Sequence, residues 1–242
     1  EYVLSAIKGG YELLGFSDHT PWKYRTSYVA DMRMLPDELP EYVESLRTLR
    51  EIYKDRIQIK IGLECEYFPE YMYWLKEQIK KYQLDYIIFG NHHYHTDEKF
   101  PYFGHHTDNR DMLDLYEESA IEGMETGLYS CLAHPDLFMR SYPEWDRHCT
   151  LAARHICRAA ARLNIPLEYN IAFVAYNEAH GTSSYPCPEF WHIAANEGCT
   201  AIIGVDAHNN KDLETPVYYD RAVKELDALK IKRNTQQKMI NK

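Results

Sequence analysis

The sequence predicts one α/β domain over residues 1–242, in which parallel strands are joined by helices. Strand-like apolar runs alternate along the chain with segments whose apolar residues recur at helical spacing. No low-complexity run and no linker rich in proline, glycine or serine divides the chain. A chain of 242 residues is also long enough to bury one sizeable core. The alternation is typical of a parallel sheet with right-handed crossovers.

Apolar runs bounded by polar segments are the predicted strands, and a helix or a long loop follows each of them. The second run alternates between polar and apolar residues before it becomes continuously apolar. In chain order the six predicted strands occupy residues 11–19, 57–64, 84–90, 128–134, 165–170 and 199–206.

Helical periodicity predicts the segments between the strands. A first helix is expected to end at Gly9–Gly10, because glycine closes many helices. Pro40 falls in the first turn of the next helix, where proline is tolerated. Later predicted helices occupy residues 36–54, 70–82, 110–126, 147–164, 187–198 and 218–230. The segment 170–180 is predicted to be a loop.

Composition excludes several classes of function. The net charge is −10, from 37 acidic and 27 basic residues, and this disfavours a nucleic-acid partner, which requires clustered lysine and arginine. No apolar stretch approaches the ~20 residues needed to span a bilayer, so no membrane partner is expected. The six cysteines form no CxxC pair, and we interpret them as reduced core thiols of a cytoplasmic protein.

Polar side chains with lone pairs follow the predicted strands at the point where each strand ends. In a parallel barrel the carboxyl ends of the strands converge on one face, where barrel enzymes build their active sites. A single histidine after a strand is more often a hydrogen-bonded loop residue, but repetition at five strand ends favours a shared metal site. The candidates are His19, Glu64, His93, His134, Asp206 and His208, with Asp18, Glu66, His92, Asp136 and Asn170 close to them.

The chemistry of these groups indicates which metal they suit. Imidazole nitrogens combined with carboxylate oxygens are typical ligands of zinc, iron, manganese or nickel, and they argue against an all-oxygen calcium site. No thiolate is among the candidates, which disfavours a structural zinc site. The sequence therefore predicts a transition-metal centre.

The motifs "GFSDHTPW", "IGLECEY", "IIFGNHHY", "LAHPD", "LEYN" and "GVDAH" occur in this order. In order and spacing they resemble the PHP (polymerase and histidinol phosphatase) family, in its histidinol-phosphatase-like branch, from about residue 1 to about residue 228. The resemblance implies a distorted, TIM-like α/β barrel of seven strands that holds two or three divalent transition-metal ions, zinc, iron or manganese. The metal ligands that it implies are His19, Glu64, His93, His134, Asp206 and His208.

Two ligand choices depend on aligning the residues beside them. The flanking residues favour Glu64 over Glu66 and His93 over His92. Strand alternation leaves the first choice open, since Glu64 and Glu66 share a face.

The resemblance also implies a strand that this chain does not contain. The family opens with a strand that ends in a His-x-His motif, and no such motif precedes Glu1. We therefore expect the first barrel strand to be missing from this chain and to lie upstream in the native protein.

The activity implied by the resemblance is metal-dependent hydrolysis of a small-molecule phosphate monoester. L-Histidinol phosphate, an intermediate of histidine biosynthesis, is the leading substrate. Asp206 or a neighbouring histidine, His208, would orient the nucleophile or protonate the leaving group. Arg33 and Arg140 are candidates for binding the phosphate, the alternative for each being a surface ion pair.

Other functions remain open at this stage. One alternative is a phosphatase of different specificity, acting on phosphotyrosine or a sugar phosphate, and another is a non-catalytic metal-binding domain. The segment 170–180 bears on this question, because it has aromatic residues and no arginine where the branch tends to have one. We therefore expect several phosphate monoesters to be accepted.

Overall fold

The computed structural model describes residues 1–234, in which seven strands form one sheet. Every strand pairs in parallel with the next strand along the chain, so the spatial order is the chain order. The strands are β1 Leu13–Phe16, β2 Gln58–Cys65, β3 Tyr86–Gly90, β4 Leu132–Ala133, β5 Leu167–Asn170, β6 Thr200–Gly204 and β7 Lys232–Arg233. The predicted α/β class, with a TIM-like arrangement of parallel strands, is confirmed.

The strand count differs from the sequence prediction at one end of the sheet. The six predicted strands are all present, and the additional strand is β7, whose two residues pair with Thr200 and Ala201 of β6. A two-residue strand with charged side chains leaves no apolar run that could reveal it. Within residues 1–234, β1 and β7 are the two edges of the sheet. Whether a further strand precedes Glu1 stays a prediction.

Helices follow most of the strands and cover the sheet. The helices are α1 Tyr2–Lys8, α2 Leu39–Tyr53, α3 Met72–Tyr82, α4 Phe103–His106, α5 Arg110–Glu125, α6 Arg147–Leu163, α7 Ile171–His180, α8 Pro188–Asn196 and α9 Val217–Ala228. In α6 the side chain of Asp146 accepts from the N–H groups of the first turn, and Asn164 ends the helix in a left-handed conformation, at the residue predicted from sequence.

Helix α7 corrects the prediction of a loop over 170–180. Asn170, the last residue of β5, caps this helix, because its side-chain oxygen accepts from the N–H of Phe173 at 3.1 Å. The apolar residues of the segment crowd into its first half instead of recurring at helical spacing. For that reason the periodicity does not reveal the helix. His180, expected in a loop, is its last residue.

The core lies between the sheet and the helices. Helix α6 packs against α5 and α8 and buries small and apolar side chains, including Ala153, Ile156 and Ala160, all fully buried. The six cysteines are buried and unpaired, as expected for core thiols. No helix within residues 1–234 is long and apolar enough to cross a membrane.

Candidate metal centre

Four side chains from the carboxyl ends of neighbouring strands meet at one face of the sheet. Oε1 of Glu64, on β2, lies 3.1 Å from Nε2 of His134 and 3.3 Å from Nε2 of His92. The two imidazole nitrogens are 3.2 Å apart. His19, which follows β1, approaches from the other side, with Nδ1 3.7 Å from Oε2 of Glu64. The structure therefore brings together three of the predicted ligands and one neighbouring histidine.

This arrangement fits a metal ion by two independent measures. Ligands placed tetrahedrally at 2.0–2.1 Å around zinc are separated by about 3.3 Å, close to the distances among Glu64, His92 and His134. Nδ1 of His19 is buried and has no hydrogen-bond partner within the described residues. Ligand atoms of His19, Glu64 and His92 all lie within 4.8 Å of one another. The donor set of imidazole and carboxylate suits zinc, iron or manganese.

The position of His92 departs from the sequence prediction, which favoured His93. Nδ1 of His93 lies 3.0 Å from the carbonyl oxygen of Phe100, and within the described residues no hydrogen bond or ion pair joins this ring to Glu64 or His134. The reason is a turn directly after β3, where the N–H of His92 donates to the carbonyl of Gly90 at 2.9 Å. This turn ends the strand alternation, so alternation beyond Gly90 does not determine which histidine faces the site.

Gly90 makes room for the centre. A Cβ atom built on Gly90 would overlap the carboxylate of Glu64, with Cδ at 2.9 Å, and would lie 2.5 Å from Cε1 of His92. Glu64 pairs in register with Ile88, so the glycine is two residues further along the adjacent strand, on the same face. A side chain at this position would therefore require the carboxylate of Glu64 or the ring of His92 to shift.

Glu66 supports the centre by contacting the ring nitrogen of His92 that does not face the cluster. Its Oε1 lies 2.9 Å from Nδ1 of His92, which directs Nε2 of that ring toward Glu64 and His134. Its other contacts are with Arg33, at 2.7 and 2.9 Å, and with the indole N–H of Trp22, at 2.8 Å. Glu64 therefore takes the ligand position in the cluster, and Glu66 takes that of a hydrogen-bonding partner.

The predicted role of Arg33 in binding phosphate is wrong, because its guanidinium is buried and fully engaged. The side chain is 2% exposed and pairs with Glu66 and, at 3.0 Å, with Asp97. Burial disfavours its charge, but these two carboxylates outweigh burial and raise the pKa of Arg33. Its N–H groups are occupied by these partners and are not available to bind a substrate.

Replacing Arg33 with alanine is expected to lower the free energy of unfolding by about 3–5 kcal/mol, because Glu66 and Asp97 would lose the buried cation that they share. Urea or thermal unfolding measures the loss. The matched control is Arg25→Ala, since Arg25 pairs with Glu70 at 3.6 Å on the surface and should contribute less than about 1 kcal/mol. Equal losses in the two variants would contradict the assignment.

A second group of polar side chains lies at the ends of β5 and β6. Oδ2 of Asp206 accepts a hydrogen bond from the amide of Asn170 at 2.9 Å. Oε2 of Glu168 accepts from the N–H of His134 at 2.9 Å, which joins this group to the first. His208 is mostly exposed, with Nδ1 3.6 Å from Oδ1 of Asp206. Asp206 and His208 therefore lie beside the cluster without a direct contact to Glu64, His92 or His134.

Electrostatics differ between the two groups. Burial opposes the charge of Glu64, but the neighbouring histidines, His92 first, outweigh it and hold the pKa of Glu64 well below its usual range. Burial, together with the charge of Asp206, raises the pKa of Glu168 to about 7. Burial also disfavours the charge of His208, but Asp206 outweighs it and raises the pKa of His208. The first group is thus poised to bind cations, and the second contains groups that can carry a proton near neutral pH.

A cavity of 1680 Å³ connects the two groups. It continues from the carboxyl ends of the strands into the interior of the sheet, along Leu14 and Tyr86. Its volume exceeds what a small phosphate ester requires. The predicted site residues that line it are His19, Glu64, His134, Asp206 and His208.

Arg140 lies on an aromatic surface beside the cluster. Its guanidinium carbon is 5.2 Å from the centre of the Phe173 ring and 6.0 Å from that of Tyr102. Tyr102 also contacts the ring of His92, at 5.8 Å between centroids. The side chain is exposed, and no carboxylate within residues 1–234 forms a salt bridge with it. It is thus an available cation close to the histidines.

A sequence profile of the PHP domain matches residues 1–172, more than half of the chain. The chain belongs to the PHP domain family. The resemblance read from the motifs is therefore confirmed.

Relatives of this PHP domain include two proteins named "Probable histidinol-phosphatase". The one from Deinococcus radiodurans is 28% identical over 216 residues, covering 86% of this chain and 79% of the relative. The one from Schizosaccharomyces pombe is 35% identical over 99 residues, covering 38% of this chain and 32% of the relative.

A solved structure shares the fold of this PHP domain. The histidinol phosphate phosphatase from Lactococcus lactis, solved in complex with zinc, L-histidinol and phosphate, superposes with a TM-score of 0.74. The match covers 99% of this chain and 91% of that one, at 20% sequence identity.

One residue of the site was not predicted from sequence. Glu168 occupies the predicted strand that ends in Asn170, and only Asn170 was singled out there. A signal was present, since residues two apart on a strand share a face. A carboxylate two residues before a polar strand end is therefore expected to point in the same direction.

Proposed function

We propose that this PHP domain is a metal-dependent phosphatase that hydrolyses L-histidinol phosphate to L-histidinol and phosphate. The observation that carries the proposal is the cluster of two imidazole nitrogens and a carboxylate oxygen separated by 3.1–3.3 Å. The names of the Deinococcus and Schizosaccharomyces relatives support the substrate. The six buried, unpaired cysteines support a cytoplasmic enzyme.

The residues proposed to hold two or three ions of zinc, iron or manganese are His19, Glu64, His92, His134, Asp206 and His208. When bound, such ions neutralise the charge of the phosphoryl oxygens and lower the pKa of a water molecule enough to make it a nucleophile. The protein keeps the ligands in place: Glu66 holds the ring of His92 through Nδ1, and Asn170 holds the carboxylate of Asp206. This support fixes the ligand atoms before substrate arrives.

Arg140 is the residue that we assign to the phosphate. A guanidinium matches two phosphate oxygens with parallel N–H donors, and the Arg140 side chain has no competing carboxylate partner in the described chain. Its two aromatic neighbours, Tyr102 and Phe173, restrict where it can point. The phosphate would then lie between Arg140 and the histidines of the cluster.

Where His208 is not a metal ligand, it is the group that we assign to protonating the leaving alkoxide. Its raised pKa keeps a larger fraction of the ring protonated near neutral pH, and its exposed side chain can reach a bound ester. Asp206, 3.6 Å away, stabilises the protonated ring. His208 would therefore act either as this acid or as a ligand, and substitution by glutamine separates the roles through metal content.

A phosphatase of broader specificity is the second candidate, and the aromatic surroundings of Arg140 favour it. The ring of Phe173 stacks on Tyr185 with centroids 4.0 Å apart, beside the ring of His134. Apolar, planar groups at this position suit leaving groups larger or more apolar than an amino alcohol. Several monoesters would then be hydrolysed, with histidinol phosphate among them.

The test is kcat/KM on a panel of phosphate monoesters. Protein reconstituted with zinc, manganese or iron is assayed with histidinol phosphate and with sugar, amino-alcohol and aryl phosphates. We expect turnover that a chelator abolishes and that metal restores, with histidinol phosphate the best substrate by less than a thousandfold. A metal-loaded protein that hydrolyses none of them would be a binding domain. A preference above a thousandfold would overturn the broader specificity.

A further inference from the structure

Two ligand candidates of the centre sit in a backbone conformation that is unfavourable for them. His134 has φ of 29° and Asp206 has φ of 48°, both in the left-handed region. Residues held in this region cost on the order of 1–3 kcal/mol each and persist only where the surroundings fix them. The two lie at the ends of β4 and β6, the strands on either side of β5.

The side chains of β5 connect these two residues. Oε2 of Glu168 accepts the backbone N–H of His134 at 2.9 Å and the amide of Asn170 at 3.3 Å. The same amide donates to Oδ2 of Asp206 at 2.9 Å. Glu168 and Asn170 are 7% and 1% exposed, so water competes little for these hydrogen bonds. The chain of contacts therefore runs from β4 through β5 to β6.

The amide of Asn170 is itself fixed in orientation. Its oxygen accepts from the N–H of Phe173 at the start of α7, which leaves the NH₂ group to face the two carboxylates. An amide turned the other way would place its oxygen against both carboxylates and lose the helix cap. Because the same amide caps α7, its hydrogen bond to the first turn of the helix keeps the NH₂ group directed at the two carboxylates.

The sheet is built around the carboxylate of Glu168. A Cβ atom on Gly204 would overlap that carboxylate, with Cδ at 2.5 Å and Cγ at 2.7 Å. Glu168 pairs in register with Ile202, so the glycine lies two residues further along the adjacent strand. The same relation joins Glu64 to Gly90. The arrangement found at Glu64, in which a glycine on the next strand leaves room for a buried carboxylate, is thus repeated at Glu168 on β5.

We infer that Glu168 and Asn170 are positioning residues that hold His134 and Asp206 in the orientation required to bind metal. The inference rests on the proposed metal centre and does not depend on which ester is the substrate. Glu168 acts through one oxygen, Oε2, which accepts both hydrogen bonds. A glutamine at this position keeps such an acceptor, whereas an alanine removes it.

The experiment compares the affinity of Glu168→Gln and Glu168→Ala for zinc, by competition with a chromogenic chelator. We expect Glu168→Ala to weaken zinc binding by about 10–100-fold, the usual effect of removing such a partner, and Glu168→Gln to bind like the wild type. Ser130→Ala is the matched control, because it removes a buried 2.7 Å hydrogen bond to the carbonyl of Ile87 away from the centre. It should leave zinc affinity unchanged.

A second variant covers the case in which Glu168→Ala does not fold. Asn170→Ser keeps a side-chain cap for α7 but is too short to reach Asp206, so we expect weaker zinc binding with the helix retained. Wild-type zinc affinity in the folded Glu168→Ala or Asn170→Ser protein would overturn the inference. So would a Glu168→Gln protein that binds zinc normally but loses kcat, since the carboxylate would then take part in the reaction. Zinc affinity is measured without substrate, so a failed phosphatase assay leaves this result readable.

Discussion

Replacing His92 with alanine is expected to reduce kcat/KM for phosphate ester hydrolysis by at least about a thousandfold, equivalent to about 4 kcal/mol of transition-state stabilisation. The Nε2 atom of His92 lies within 3.3 Å of both Glu64 and His134, so its removal takes one ligand from the centre of the cluster. Metal content should fall together with activity. Elemental analysis of the purified protein and steady-state kinetics measure the two effects.

His93→Ala is the matched control, because it removes the same side chain from the adjacent, equally buried position. His93 contacts the carbonyl of Phe100 instead of the cluster, so this variant should keep its metal and most of its activity, with a loss of stability from the emptied space. If His93→Ala loses metal and His92→Ala retains it, the ligand is the one that the flanking residues favoured, and the arrangement described for β3 is wrong.

Replacing Gly90 with alanine is expected to remove metal binding with a single added methyl group. The new Cβ would overlap the carboxylate of Glu64 and lie 2.5 Å from His92, so one of the two must leave its position. Overpacking of this kind costs about 1–3 kcal/mol, which corresponds to a decrease in Tm of roughly 2–12 °C for a chain of this size. Zinc titration and thermal unfolding of the same preparation measure both effects.

Gly123→Ala is the control that distinguishes overpacking of the core from displacement of the metal ligands. A Cβ atom on Gly123, in α5, would overlap the ring of Phe89, so this variant should lose comparable stability. It adds no atom next to Glu64, and its folded fraction should bind zinc normally. A Gly90→Ala protein that binds zinc as tightly as Gly123→Ala does would show that the carboxylate can move aside.

Much of the fold could be predicted from the sequence, because the alternation of strands and helices depends on local periodicity. The segment 170–180, predicted to be a loop, is a helix. It begins at a cap supplied by Asn170, which the spacing of apolar residues does not reveal. Strand β7 consists of two charged residues, and only its pairing with β6 defines it. These elements depend on contacts with the rest of the chain.

The candidate site was predicted in its chemistry and less well in its details. Strand ends supplied His19, Glu64 and His134 correctly as neighbours, since parallel strands bring their carboxyl ends together. The choice between His92 and His93 depended on a turn after β3 that the residue types do not predict. Arg33 was expected to face a substrate because its charge is visible in the sequence and its buried partners are not.

The pairing of each buried carboxylate with a glycine on the next strand constrains how this chain can evolve. While Glu64 is present, a side chain at Gly90 must displace its carboxylate or the ring of His92, and a side chain at Gly204 must displace Glu168. Once a carboxylate is lost, its part of the constraint on the opposite glycine is removed, although the ring of His92 still crowds Gly90. If a larger residue then replaces the glycine, restoring the carboxylate in its place would require a change at both positions, so a single substitution would not rebuild the centre.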